Sequence, residues 1–124
     1  MGMVVVILIS SVAYHRAGAT SNVHTYLLFN FITNQSGFDT GIVISNTSMD
    51  PFGSKQETGT CTLYFYGTGP PASTHISGAS IPPGTQWTEL ASEIAAGFQG
   101  YMIADCSFHY AHGTAFIMDG YGQP

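Results

Sequence analysis

The chain has 124 residues, enough for one domain that buries roughly two-thirds of its unfolded surface. Only 7% of the residues are charged, the formal net charge is -5, and the only cations are Arg16 and Lys55, against about 25% charged residues in an average soluble domain. This balance excludes nucleic acid and anionic membrane surfaces as partners, since both need basic patches, and leaves little repulsion to keep copies of the chain apart.

Residues 1–19 open on a continuously apolar, β-branched run, Met3-Val-Val-Val-Ile-Leu-Ile9. Three readings stand side by side. An apolar core followed by Ala17-Gly18-Ala19 fits a signal-like segment, although no Lys or Arg precedes it. A strand of the domain itself, buried on both faces, is the second. The third is a strand donated to a neighbouring copy, with Val4, Val5, Val6, Ile7, Leu8 and Ile9 as the assembly residues. The run is too short to span a bilayer.

Residues 20–124 read as a single β-sandwich domain. In residues 25–33, Leu27, Phe29 and Phe31 alternate onto one face, as in a half-buried strand. Residues 34–37, Asn-Gln-Ser-Gly, form a turn. The next strand, residues 41–46, turns Ile42 and Ile44 inward. Asp50, Pro51 and Gly53 occupy type I turn positions. In residues 60–66, Cys61, Leu63 and Phe65 share a face opposite Tyr64 and Tyr66. Pro70 and Pro71 close that strand. Residues 85–88 suit a short strand, and residues 89–96 one or two helical turns that stop at Gly97. Residues 100–108 alternate again, with Met102, Ala104, Cys106 and Phe108 inward. Residues 109–113 read as a turn, and residues 114–118 as the last strand of a hairpin.

Seven or eight short strands with almost no helix predict an all-β fold, an antiparallel sandwich of immunoglobulin-like topology. The two cysteines each lie on the apolar face of a strand. They predict one inter-sheet disulfide, Cys61–Cys106, the alternative being two buried free thiols.

Three stretches carry a resemblance. They are Phe31-Ile-Thr-Asn-Gln-Ser-Gly-Phe-Asp-Thr-Gly-Ile-Val-Ile-Ser-Asn-Thr-Ser48, then Gly59-Thr-Cys-Thr-Leu-Tyr-Phe-Tyr-Gly67, then Gly97-Phe-Gln-Gly-Tyr-Met-Ile-Ala-Asp-Cys-Ser-Phe-His-Tyr-Ala-His-Gly113. Together they resemble a disulfide-bonded, immunoglobulin-like β-sandwich domain of secreted and surface proteins of bacteria. The resemblance spans roughly residues 26–118. It implies an extracellular module and no particular activity.

Few motifs carry chemistry. Asp39-Thr40-Gly41 matches the aspartic-protease triplet, in which two carboxylates share a proton. No apolar strand precedes it, so a turn in which Asp39 bonds nearby amides is the plainer reading. His109 and His112 are weak zinc candidates, with Asp105 or Asp119 in reach, where zinc needs three or four converging ligands. No cofactor motif is present. Asn34-Gln-Ser36 and Asn46-Thr-Ser48 fit the glycosylation sequon. Tyr64, Tyr66 and Trp87 would anchor a glycan or protein surface, unless they are simply sheet surface.

The expectation is therefore a non-catalytic, extracellular structural domain that assembles with itself, with strand donation as the route to a filament. A surface adhesion module that binds carbohydrate or protein is the alternative, and a dimeric protease acting through Asp39 the remote one.

Overall fold

A computed structural model of the chain describes residues 6–14, 23–69, 75–76 and 80–119. Val4 and Val5 of the apolar run lie outside the described residues. The strands are β1 (Val6–Ser10), β2 (Val12–Tyr14), β3 (Thr25–Thr33), β4 (Phe38–Asn46), β5 (Cys61–Thr68), β6 (His75–Ile76), β7 (Gln86–Leu90), β8 (Gln99–Cys106) and β9 (Ala111–Asp119), with one helical turn, α1 (Ala91–Ile94). They form two antiparallel sheets, ordered β1-β9-β4-β7 and β2-β3-β8-β5-β6. The central triplets are β9-β4-β7 and β3-β8-β5, and β1, β2 and β6 extend their edges. Among the described residues no helix is long and apolar enough to cross a membrane.

The inward residues of both sheets meet in one core. Leu27 and Phe29 from β3, Ile42 and Ile44 from β4, Leu63 from β5, and Met102 and Ala104 from β8 are all fully buried. Each set recurs every second residue, the period that puts one face of a strand inward. Trp87, opposite Ile44 on β7, packs partly buried against the same core.

The disulfide forms, but it does not join the two sheets. Cys61 and Cys106 face each other on the neighbouring strands β5 and β8, with Cα atoms 4.0 Å apart. The Ser107 amide donates to the Thr60 carbonyl at 2.9 Å, which makes the cysteines a non-hydrogen-bonded pair, the closer of the two antiparallel pair types. Alternation showed that both sulfurs point inward. Which strands are neighbours is set by long-range pairing, and alternation carries no information on that.

Two further expectations are corrected. A bulge interrupts the β3–β8 register between Phe29 and Ile32. Asn30 and Phe31 both turn outward, and Ile32 takes the core position expected for Phe31. The last reversal comes earlier than predicted, since β9 already begins at Ala111. It is also no hairpin, because β8 and β9 lie in different sheets. The same holds for β3 and β4. Their tight turn has positive φ at both central residues, Ser36 (56°) and Gly37 (81°), the type I′ signature. Turn chemistry reverses the chain but does not decide whether the strands it joins will pair.

Candidate functional site

The feature with the clearest capacity for interaction is the N-terminal strand segment and the seam it closes. β1 runs antiparallel to β9, from Val6 opposite Met118 to Ser10 opposite Thr114. At Ser11 the chain changes sheets. The Ser11 amide donates to the Gly113 carbonyl at 2.9 Å, and the Gly113 amide donates to Ser11 Oγ at 2.9 Å. β2 then pairs with β3, Val12 opposite Leu28 and Tyr14 opposite Tyr26. One stretch, residues 6–14, thus covers an edge of both sheets.

Gly113 makes that crossing possible. A Cβ there would lie 2.4 Å from Cζ of Phe29 and 2.9 Å from Ser11 Oγ. Any side chain would push away either the core ring beneath or the hydroxyl that holds the N-terminal segment.

β1 is itself an edge strand. Its sequence, Val-Ile-Leu-Ile-Ser, holds no charge and no proline, the two devices that usually keep an exposed edge from pairing with another chain. Leu8 is 61% exposed and stands opposite Phe116, with Gly41 and Leu90 next in the same cross-strand row. An uncharged edge beside an exposed apolar row can add strands or bury a neighbour.

The predicted glycan anchors do not come together. Tyr64 and Tyr66 are exposed on β5, as their alternation predicted, whereas Trp87 sits on β7 of the other sheet, against the core. Tyr66 instead stacks on Tyr101 of β8, with ring centroids 5.1 Å apart.

His109 and His112 have different surroundings. His109 bonds Glu57, with Nδ1 3.0 Å from Oε1, and its amide donates to Oε2 at 2.8 Å. His112 is exposed on β9, and Asp105 pairs with His24 at 2.5 Å. Among the described residues no three His, Cys, Asp or Glu side chains cluster as metal ligands. Burial would push the Glu57 carboxyl up. The bonds from His109 and the nearby positive charges of His109 and Lys55 outweigh burial and hold it below its ordinary value.

Asp39 serves as a helix cap. Its Oδ1 accepts the Ser92 amide at 3.0 Å and the Thr40 amide at 2.8 Å, and Oδ2 accepts the Ser92 hydroxyl at 2.6 Å. Leu90, the local N-cap of α1, offers no side-chain acceptor, so a carboxylate from β4 satisfies the open amide. Beside it, Glu93 is raised by a hydrogen bond with Glu89, with the Glu89 and Asp39 charges adding to the effect.

Sequence reasoning singled out Asn46 only as a sequon and missed its structural role. Its side chain is buried, donating to the Glu57 carbonyl at 2.6 Å and the Ile81 carbonyl at 2.9 Å, and accepting from the Ser48 hydroxyl at 2.7 Å. It ties the β4–β5 connection to the one that precedes β7 and is closed to glycosylation in the folded domain. Asn34 likewise accepts the Gly97 amide and donates to the Phe38 carbonyl. A strand-end Asn followed by Ser two residues on was the available signal, because such residues bond local backbone.

Comparison with protein-family models, with curated proteins and with solved structures finds no match to this chain.

Proposed function

We propose that this chain is a non-catalytic, extracellular structural domain of immunoglobulin-like sandwich type, and that it assembles with copies of itself through its N-terminal strand. The single observation that carries the reading is the segment 6–14. It closes an edge of each sheet and crosses between them at Ser11. Every backbone bond it makes in its own domain would be reproduced in the same register in a neighbour, since the partner strands β9 and β3 are identical in every copy. Exchange of such an element costs little, because each strand pairing given up in one copy is restored in the next.

Other features agree with this reading. Few charges oppose close approach of copies. The disulfide suits an oxidising compartment. Repeated head-to-tail exchange that does not close on itself gives a filament.

Electron microscopy and size-exclusion chromatography of the concentrated full chain and of a variant lacking residues 1–12 test the reading. The full chain is expected to form oligomers or fibres, and the deletion variant none. Polymers unchanged by the deletion would sink it, as would a full chain that stays monomeric at every concentration.

A further inference from the structure

The bulge in β3 shapes the end of the domain where β3 stops and β4 starts. It leaves the Phe31 ring 40% exposed, beside Phe38 at 38%. The two rings flank an open cleft of about 340 Å³, within the size range of small-ligand sites. Buried Ile117 contributes to its lining, and Thr33, Gln35, Ser36 and Gln99 supply the polar groups. Among the described residues no ionisable side chain lines it.

The walls are held in place before any ligand arrives. Ser36 takes a left-handed conformation (φ 56°), uncommon for a residue other than glycine and a feature that gathers at functional sites. The Phe38 amide donates to the Gln35 carbonyl at 3.0 Å. Gln35 Nε2 donates to the Gly97 carbonyl at 2.9 Å and to Thr68 Oγ1 at 3.3 Å. Gln99 Oε1 accepts the Thr33 hydroxyl at 2.9 Å. These bonds use one half of each amide. The other halves, the Gln35 Oε1 acceptor and the Gln99 Nε2 donor, have no partner among the described residues.

We propose that this cleft binds a neutral saccharide unit. The ring would lie on Phe31 and Phe38, and its hydroxyls would bond Gln35 Oε1 and Gln99 Nε2. A charged ligand would find no counter-charge in the lining, the carboxylate nearest in register being that of Asp119, opposite Phe38 and outside the cleft. A purely apolar one, such as an aliphatic chain or an apolar peptide side chain, would cover both amide groups and leave them unpaired, which is unfavourable. A sugar offers an apolar ring face together with donors and acceptors, the combination this lining matches. Nothing in this inference depends on self-assembly, and its site is distinct from the exposed tyrosines of β5 and β8.

The test is a titration of the isotope-labelled full chain with hexasaccharides of β-1,4-glucose, α-1,4-glucose, xylose, mannose and N-acetylglucosamine, followed by amide chemical shifts. At least one is expected to give saturable shifts at residues 31–38 and at Gln99. Phe31→Ala, Phe38→Ala and Gln99→Ala should each weaken binding about tenfold, the effect of losing one stacking ring or one amide bond. Tyr66→Ala should bind as the parent does, and an unchanged thermal midpoint in all four variants would show that the fold is intact. No saturable shift with any of the five sugars would overturn the proposal. So would shifts centred on Tyr64, Tyr66 and Tyr101, or a response of the cleft amides to an apolar peptide but not to the sugars.

Discussion

Glu57 and His109 stand 52 positions apart in the chain, yet the carboxylate takes both the His109 ring nitrogen and its amide. A carboxyl held below its ordinary value contributes stability that is complete above that value and is lost as the pH falls through the folded one. For Glu57 the loss therefore sets in from about pH 4.5 downward. Urea unfolding midpoints measured between pH 7 and pH 3 should show an acid decline that is shallower in His109→Ala, because the variant has already lost both the partner ring and its charge. The residue scale was the least legible in sequence. Asn46, Asp39 and Glu57 bond groups on other segments, and a single chain read in order does not announce which loops will meet. Only the bonds from Asn46 to Ser48 and from Asp39 to Thr40 are local.

At the scale of elements, alternation located most of the strands and their inward faces. It failed at Phe31, where an extra residue in β3 shifts the phase by one and exposes a ring expected in the core. A bulge is a property of two strands in register, so a window on one strand cannot see it. The staple between β5 and β8 belongs to this scale too. Its cysteines are 45 positions apart, and closing a loop of that length removes unfolded-state entropy amounting to roughly 4 kcal/mol. The double variant Cys61→Ala with Cys106→Ala is expected to lose about that much stability in equilibrium urea unfolding, a large share of what a small domain has. Both cysteines are fully buried, so a mild reductant should act on the folded parent only at the rate of global opening.

At the scale of the whole molecule, the N-terminal segment is the piece that both sheets share. Without it, β9 and part of β3 lose the strand partners that satisfy their amides and carbonyls, and the apolar contacts of that seam go with them. A variant lacking residues 1–14 should melt lower than the parent. A synthetic peptide of residues 1–14, added in excess, should raise that melting temperature again in proportion to the logarithm of its concentration. A peptide with Ser11→Pro is expected to do so more weakly, since proline removes the amide that bonds the Gly113 carbonyl. The readout is a thermal shift, and a parent peptide without effect would show that the segment contributes nothing as a separable strand.

What the amino-acid sequence by itself determined is the β class, the inward faces of most strands, the short helical turn and the pairing of the two cysteines. Each follows from a local rule: period-two alternation, turn residues, and the presence of just two sulfurs on apolar faces. Tertiary structure alone decided that the sulfurs bridge neighbours within one sheet, that short connections carry β3 into β4 and β8 into β9 across sheets, and that Trp87 and Tyr66 lie in different sheets. Those outcomes depend on which distant strands pair and in what register. Register is settled by the fit of many side chains at once, so no short stretch of this chain contains it.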